Sequence, residues 1–137
     1  MSKRLAREAA MCLLFEREIT GEPGELETLC EMKDVLKSDK FSEEQNAYIN
    51  RVLELFEQKS IELDAMIAKY NRPGWSMDRI SKVDLSILRL ALIEIFYFDD
   101  TPYKVAINEA VELAKKFSGE KSPSYINGIL ASAVKEL

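Results

Sequence analysis

The stretch Val83–Phe98, VDLSILRLALIEIFYF, decides the fold. Its apolar residues fall neither on alternate positions nor on a single helical stripe; Val83, Leu85, Ile87, Leu88, Leu90, Leu92, Ile93 and Ile95 cover almost the whole circumference of a helix. A helix without a polar face must be enclosed by other elements. The run is also shorter than the roughly 20 residues that span a bilayer. It therefore predicts a buried helix among helices. Its few polar residues, Arg89 and Glu94 among them, require partners or an exit to the surface. Ser81 with Asp84 forms a capping-box pattern at its start. Asp99-Asp100 places negative charge at its end, the wrong sign for the helix dipole, which favours termination there.

Working outward, every neighbouring segment has helical period. On the N-terminal side, Lys3 to about Glu18 aligns Leu5, Ala9, Cys12 and Leu13, and ends before Gly21, Pro23 and Gly24. Glu25–Lys37 predicts a second helix through Leu26, Leu29, Cys30 and Leu36. Ser42, with Gln45 three residues on, opens a long third helix whose face runs through Ile49, Val52, Phe56, Leu63, Ile67 and Tyr70. Arg72-Pro73-Gly74 stops it, and Ser76 is placed to cap a short helical turn after Trp75. On the C-terminal side, Thr101 as N-cap and Pro102 as first helical residue predict a helix through Ala106, Ala110, Leu113, Ala114 and Phe117, closed by Gly119 in a left-handed conformation. Ser122-Pro123 repeats that start before Ile126, Ile129, Leu130, Ala133 and Val134. The reading is all-α: one 1–137 domain of two packed three-helix subdomains plus a short helical turn, divided at 1–72 and 73–137.

Composition limits the chemistry. The 137 residues are 47% hydrophobic, enough for a substantial core, and include no histidine. Cys12 and Cys30 lie in helical stripes without CxxC spacing, so both read as buried small apolar residues of a reducing cytoplasm. No glycine-rich phosphate loop, metal-ligand cluster or nucleophile–base pair is visible, which predicts a binding protein, not an enzyme, with no cofactor and no metal. No secretory signal or membrane span is expected, and the localisation reads as cytoplasmic. Net charge is −5, but Thr20–Asp64 alone carries −7, so the remainder is +2. A weakly basic surface assembled from the two ends of the chain is thus compatible with nucleic acid.

Lys3, Arg4 and Arg7 stand at a helix start where the dipole prefers acids. They are suited to RNA phosphates, or form an ordinary charged helix start. Tyr125 follows Lys121-Ser122-Pro123 at a helix entrance, and Tyr103-Lys104 repeats the arrangement. An aromatic beside a lysine can stack a single-stranded base, or be a partly buried tyrosine.

The run TPYKVAINEAVELAKKF, Thr101–Phe117, followed by YINGIL, Tyr125–Leu130, resembles the signature of the NusB family of transcription antitermination factors. Val83-Asp84 with Ile87–Ala91 and Glu94 is similar to the family's central helix, and Ala6-Arg7-Glu8 to its first; 20–70 matches only in pattern. The resemblance implies two three-helix subdomains. It also implies binding of boxA single-stranded RNA together with NusE, a small-subunit ribosomal protein. The complex is then expected to join the RNA polymerase elongation complex with other Nus factors, notably on ribosomal RNA operons. It places RNA contacts at Lys3, Arg4, Arg7, Arg89, Tyr103, Lys104, Lys121 and Tyr125, and NusE contacts at Phe15 and Asp84. Leu5 departs from the family's arginine-rich start, and Lys121 stands where an acid is common. Asn108, Glu109, Asn127 and Gly128 belong to the signature and are expected to pack helices and make buried hydrogen bonds. The alternatives are a protein–protein adaptor without RNA binding, and an RNA methyltransferase, for which 137 residues leave no room. Either a monomer or a homodimer fits.

Overall fold

The computed structural model describes residues 3–21 and 41–137, and every regular element among them is helical. Helix α1 spans Lys3–Thr20, α2 Glu43–Tyr70, α3 Lys82–Tyr97, α4 Tyr103–Phe117 and α5 Ser122–Ala133. One 3-10 turn, Met77–Arg79, precedes α3 and another, Val134–Glu136, closes the chain. The helix expected over 25–37, with Cys30, lies outside the described residues.

Helix α3 is the hub. Every residue from Asp84 to Ile95 is buried, and α1, α2, α4 and α5 all pack against it. Ile87, Leu88, Leu92 and Ile93 are completely inaccessible, each contributing roughly 1.5–3 kcal/mol by burial. Cys12 is buried in α1, as its stripe predicts. Burial, then the nearby Glu8 carboxylate, push its thiol pKa up to about 11.

Helix ends follow local chemistry in part. Ser42 and Gln45 form the full capping box of α2. Ser81 accepts from the Asp84 backbone N–H at 3.1 Å, but the Asp84 carboxylate is engaged elsewhere, so only half a box forms. Thr101 does not cap α4: Pro102 is the N-cap and Tyr103 the first helical residue. Since α4 takes its first carbonyl acceptor from Pro102, whose oxygen receives the N–H groups of Val105 and Ala106, Thr101 remains outside the helix. Gly119 is not left-handed; α4 ends on an extended Ser118. The left-handed glycines among the described residues are Gly21 (φ 78°), closing α1, and Gly74 (φ 82°), in the turn that reverses the chain after α2. There Trp75 N–H donates to the Arg72 carbonyl at 3.0 Å.

Candidate nucleic-acid interface

The residues singled out from the sequence separate into three places. Lys3, Arg4 and Arg7 lie along α1 against α4. The Arg7 side chain is only 5% exposed, and its Nε donates to both oxygens of Glu94 at 3.0 Å. Tyr48 Oη donates to the same carboxylate at 3.0 Å, and Glu109 lies 3.4 Å from Arg7 Nη1. Burial works against the Arg7 charge, but the Glu94 hydrogen bond and field overcome it, and its pKa is raised. Tyr48, buried beside Glu94, is held well above the usual tyrosine range by burial and then by that carboxylate. Arg4 and Lys3 are exposed but also paired, with Glu109 at 3.1 Å and Asp100 at 3.5 Å. Lys116 completes the lattice on Glu8 at 2.7 Å.

Arg89 occupies a second place, between α3, α1 and α2. It grips Asp64 through two bonds of 2.9 and 2.8 Å, approaches Glu18 at 3.5 Å, and lies over the Phe56 ring. With its side chain 8% exposed, it presents no free cation to solvent. Its charge, opposed by burial, is restored by Asp64 and then Glu18. The need of Arg89 and Glu94 for partners is thus met internally, by Asp64 for Arg89 and by Arg7 for Glu94.

The third place is a cleft where the start of α5, the start of α3 and the turn after α2 meet. Arg72, Trp75, Arg79, Asp84, Lys121 and Tyr125 are among the residues lining a cavity of about 200 Å³. Tyr125 is half-buried, and its hydroxyl donates to Asn71 Oδ1 at 2.8 Å. The same oxygen receives the Arg72 backbone N–H at 2.9 Å, so buried Asn71 ties the turn to α5. Burial and then the Asp84 charge raise the Tyr125 pKa above its ordinary value. Asp84 is 7% exposed and receives hydroxyls from Ser118 at 2.6 Å and Ser122 at 2.9 Å. Here Ser122 departs from its expected capping role: it begins α5 with its hydroxyl on Asp84, and Lys121 is the N-cap residue.

Tyr103 is 40% exposed at the start of α4, beside exposed Lys104. Lys104 lines a shallow surface groove with Asn108, Ser124 and Asn127. That groove corrects an expectation. Asn108, Asn127 and Gly128 are exposed, and a Cβ at Gly128 would meet none of the described residues within 4 Å, so no packing among them requires this glycine. Of the four signature residues only Glu109 has the internal role expected, on Arg4 and Arg7. Phe15 is half-buried in the second half of α1.

Sequence reading passed over Arg72, Trp75 and Arg79, because Arg72-Pro73-Gly74 reads as a helix stop and nothing local shows that the turn folds back beside α5. The available signal was the single tryptophan of the chain standing between two arginines.

Among the described residues no group of acids and cysteines is arranged to hold a metal, and no helix is long and apolar enough to cross a membrane.

The NusB family model matches residues 4–135. A transcription antitermination protein NusB of Clostridium botulinum (strain Kyoto / Type A2) is 42% identical, covering 98% of this chain and 100% of its own. One from Natranaerobius thermophilus is 45% identical over 100% of this chain and 97% of its own. Among solved structures, T. maritima NusB superposes with a TM-score of 0.84 at 30% identity, over 99% of this chain and 92% of the other. A NusB chain crystallised with NusE and double-stranded RNA superposes at 0.83 with 26% identity, over 98% and 97%.

Proposed function

This chain belongs to the NusB family of non-enzymatic antitermination factors, and from that premise we propose that it binds boxA-type single-stranded RNA together with NusE and carries both into the RNA polymerase elongation complex, notably on ribosomal RNA operons. The observation that carries the reading is the likeness over nearly the whole chain to a NusB structure holding NusE and RNA. The local chemistry agrees with it. Lys104 and Lys121 are exposed beside Tyr103 and Tyr125 at two helix starts, pairing cations for phosphates with rings for bases.

The eight RNA-contact residues divide by role in this proposal. Lys121, Tyr125, Tyr103 and Lys104 touch RNA. Lys3 and Arg4, exposed, exchange their carboxylates for phosphates. Arg7 and Arg89 stay in their ion pairs and act as positioning residues, because withdrawing a buried arginine strands its acid in the interior. Phe15 and Asp84 serve NusE, Asp84 by fixing the α4–α5 corner through Ser118 and Ser122.

Competition between boxA and scrambled single-stranded RNA for the NusE-loaded chain tests the reading. The expected result is tighter binding of boxA; equal binding of the two refutes sequence-specific recognition. The adaptor reading draws support from one observation, that Lys3, Arg4 and Arg7 all have carboxylate partners. It predicts no mobility shift of any single-stranded RNA at low salt, with or without NusE.

A further inference from the structure

The cations of the α1 cluster and of the cleft are in different electrostatic states. Lys3, Arg4, Arg7 and Lys116 each face a carboxylate within 4 Å. Among the described residues, none of Arg72, Arg79 and Lys121 forms a salt bridge, although all three line one small cavity. The acid in that cavity, Asp84, is satisfied by two serine hydroxyls. The cleft therefore carries three cations against the single carboxylate of Asp84, a net positive charge of two, and none of the three is held in a salt bridge among the described residues.

Its walls are aromatic. Trp75 is 41% exposed, an unusual position for the largest apolar side chain unless something covers it. Its ring centroid lies 6.4 Å from that of Tyr125 with planes inclined by 36°, and the Arg72 guanidinium stands 5.4 Å from the Trp75 ring centre. Two stacking intervals of about 3.4 Å, the spacing of successive bases along a strand, amount to roughly 6.8 Å. The centroid separation is close to that figure, but the planes are tilted, so the rings must turn toward parallel for a flat base to fit between them. At about 200 Å³ the cavity is below the ~300–1,000 Å³ of a small-molecule pocket, which favours one base of a strand over a free nucleotide cofactor.

We propose that Trp75, with Tyr125 and Arg72, forms a stacking subsite for one unpaired base of bound RNA, and that Arg79 and Lys121 hold the phosphates on either side. This rests on the RNA-binding reading above and assigns residues to it that the sequence pattern did not reveal. The turn is built for the role: Gly74 supplies the left-handed step, and Asn71 locks the Arg72 backbone to the Tyr125 hydroxyl. The two walls come from segments 50 residues apart in sequence and are held in register before RNA arrives.

Trp75 is the sole tryptophan, so its emission reports this cleft alone in the isolated chain. A fluorescein-labelled single-stranded boxA RNA is titrated into the full chain, with and without NusE, following RNA anisotropy; an unlabelled titration follows tryptophan emission. The expected result is quenching that saturates together with the anisotropy. Trp75→Ala should weaken binding about 5- to 150-fold, the range of one lost stacking contact, and Trp75→Phe should recover most of it. Arg79→Gln, which removes one proposed phosphate contact, should reduce the slope of log affinity against log salt by roughly 0.7. Circular dichroism of each variant checks that the helices persist. If anisotropy reports binding while Trp75 emission is unchanged and Trp75→Ala binds normally, the subsite is wrong and RNA binding stands. If NusE alone quenches Trp75 and RNA adds nothing, the cleft is a protein interface and the subsite is wrong. If no RNA binds even with NusE, the RNA reading and the subsite fall together.

Discussion

The molecule has two clusters of positive charge, one along α1 and one in the cleft beside the start of α5. The α1 cluster has the more conspicuous sequence, with Lys3, Arg4 and Arg7 in one helical turn and a half, yet the fold pairs every one of these charges with a carboxylate. Arg7 lies beneath the surface on Glu94, and Arg4 and Lys3 already hold Glu109 and Asp100. The cleft has the quieter sequence, with Arg72, Arg79 and Lys121 scattered over fifty positions, and among the described residues these charges form no salt bridge and stand beside two aromatic rings. The difference teaches that a basic motif measures how many cations are present, whereas availability depends on which acids the fold delivers to them. A cation with a buried carboxylate is structural; one without is free to take a phosphate.

The comparison breaks most severely at Glu94. Glu94→Ala leaves the Arg7 guanidinium and the Tyr48 hydroxyl without their shared acceptor. Chemical denaturation should show a loss of ~3–5 kcal/mol, whereas Lys121→Ala, at an exposed and unpaired site, should change stability by less than about 0.5 kcal/mol. Similar small losses in both would mean that the α1 lattice is not the structural element described here.

Alkaline pH loosens the same lattice. The folded Cys12 pKa of about 11 lies above its ordinary value, and Tyr48 is raised as well. Between pH ~9 and ~11 the unfolded thiol is deprotonated while the folded one keeps its proton, so the unfolded state binds fewer protons and stability falls as pH rises. Cys12 alone should account for up to roughly 3 kcal/mol, two pH units at 1.36 kcal/mol each. The urea midpoint of the wild type should therefore fall across that window, and that of Cys12→Ala should fall less steeply.

At the cleft, Lys121→Glu should weaken RNA binding, make its salt dependence shallower by roughly 0.7 in slope, and leave NusE binding unchanged. Unaltered RNA affinity would remove Lys121 from the interface. The smallest effect is expected at Arg4→Gln, since an exposed ion pair such as Arg4–Glu109 contributes ~0.2–1 kcal/mol to stability.

Much of the fold was legible. The all-round apolar character of Val83–Phe98 required a central helix, and Ser42 with Gln45 announced the start of α2, because both signals are local. Helix entrances were less legible where tertiary chemistry intervened: Ser122 turned its hydroxyl to Asp84, which comes from 38 residues earlier. Gly128 illustrates the converse. A glycine inside a helix reads as a packing requirement, yet open space surrounds it, and its surroundings are surface. Of the candidate site, Tyr125 and Lys121 were legible from an aromatic and a lysine at a helix start. Trp75, Arg72 and Arg79 were not, since only the tertiary approach of the turn to α5 brings them beside Tyr125. The burial of Arg7 and Arg89 was hidden for the same reason: Glu94 and Asp64, their partners, are 87 and 25 residues away.

The central claim is that free cations of the cleft, more than the paired cations of α1, hold RNA. Its most direct test is a side-by-side titration of one boxA RNA into two NusE-loaded double variants, Arg79→Gln with Lys121→Gln and Lys3→Gln with Arg4→Gln, over a series of salt concentrations. The account predicts the larger loss of affinity for the cleft pair, with its salt slope reduced by about 1.4, two contacts at roughly 0.7 each. A larger loss and a larger change of slope for the Lys3 and Arg4 pair would contradict it.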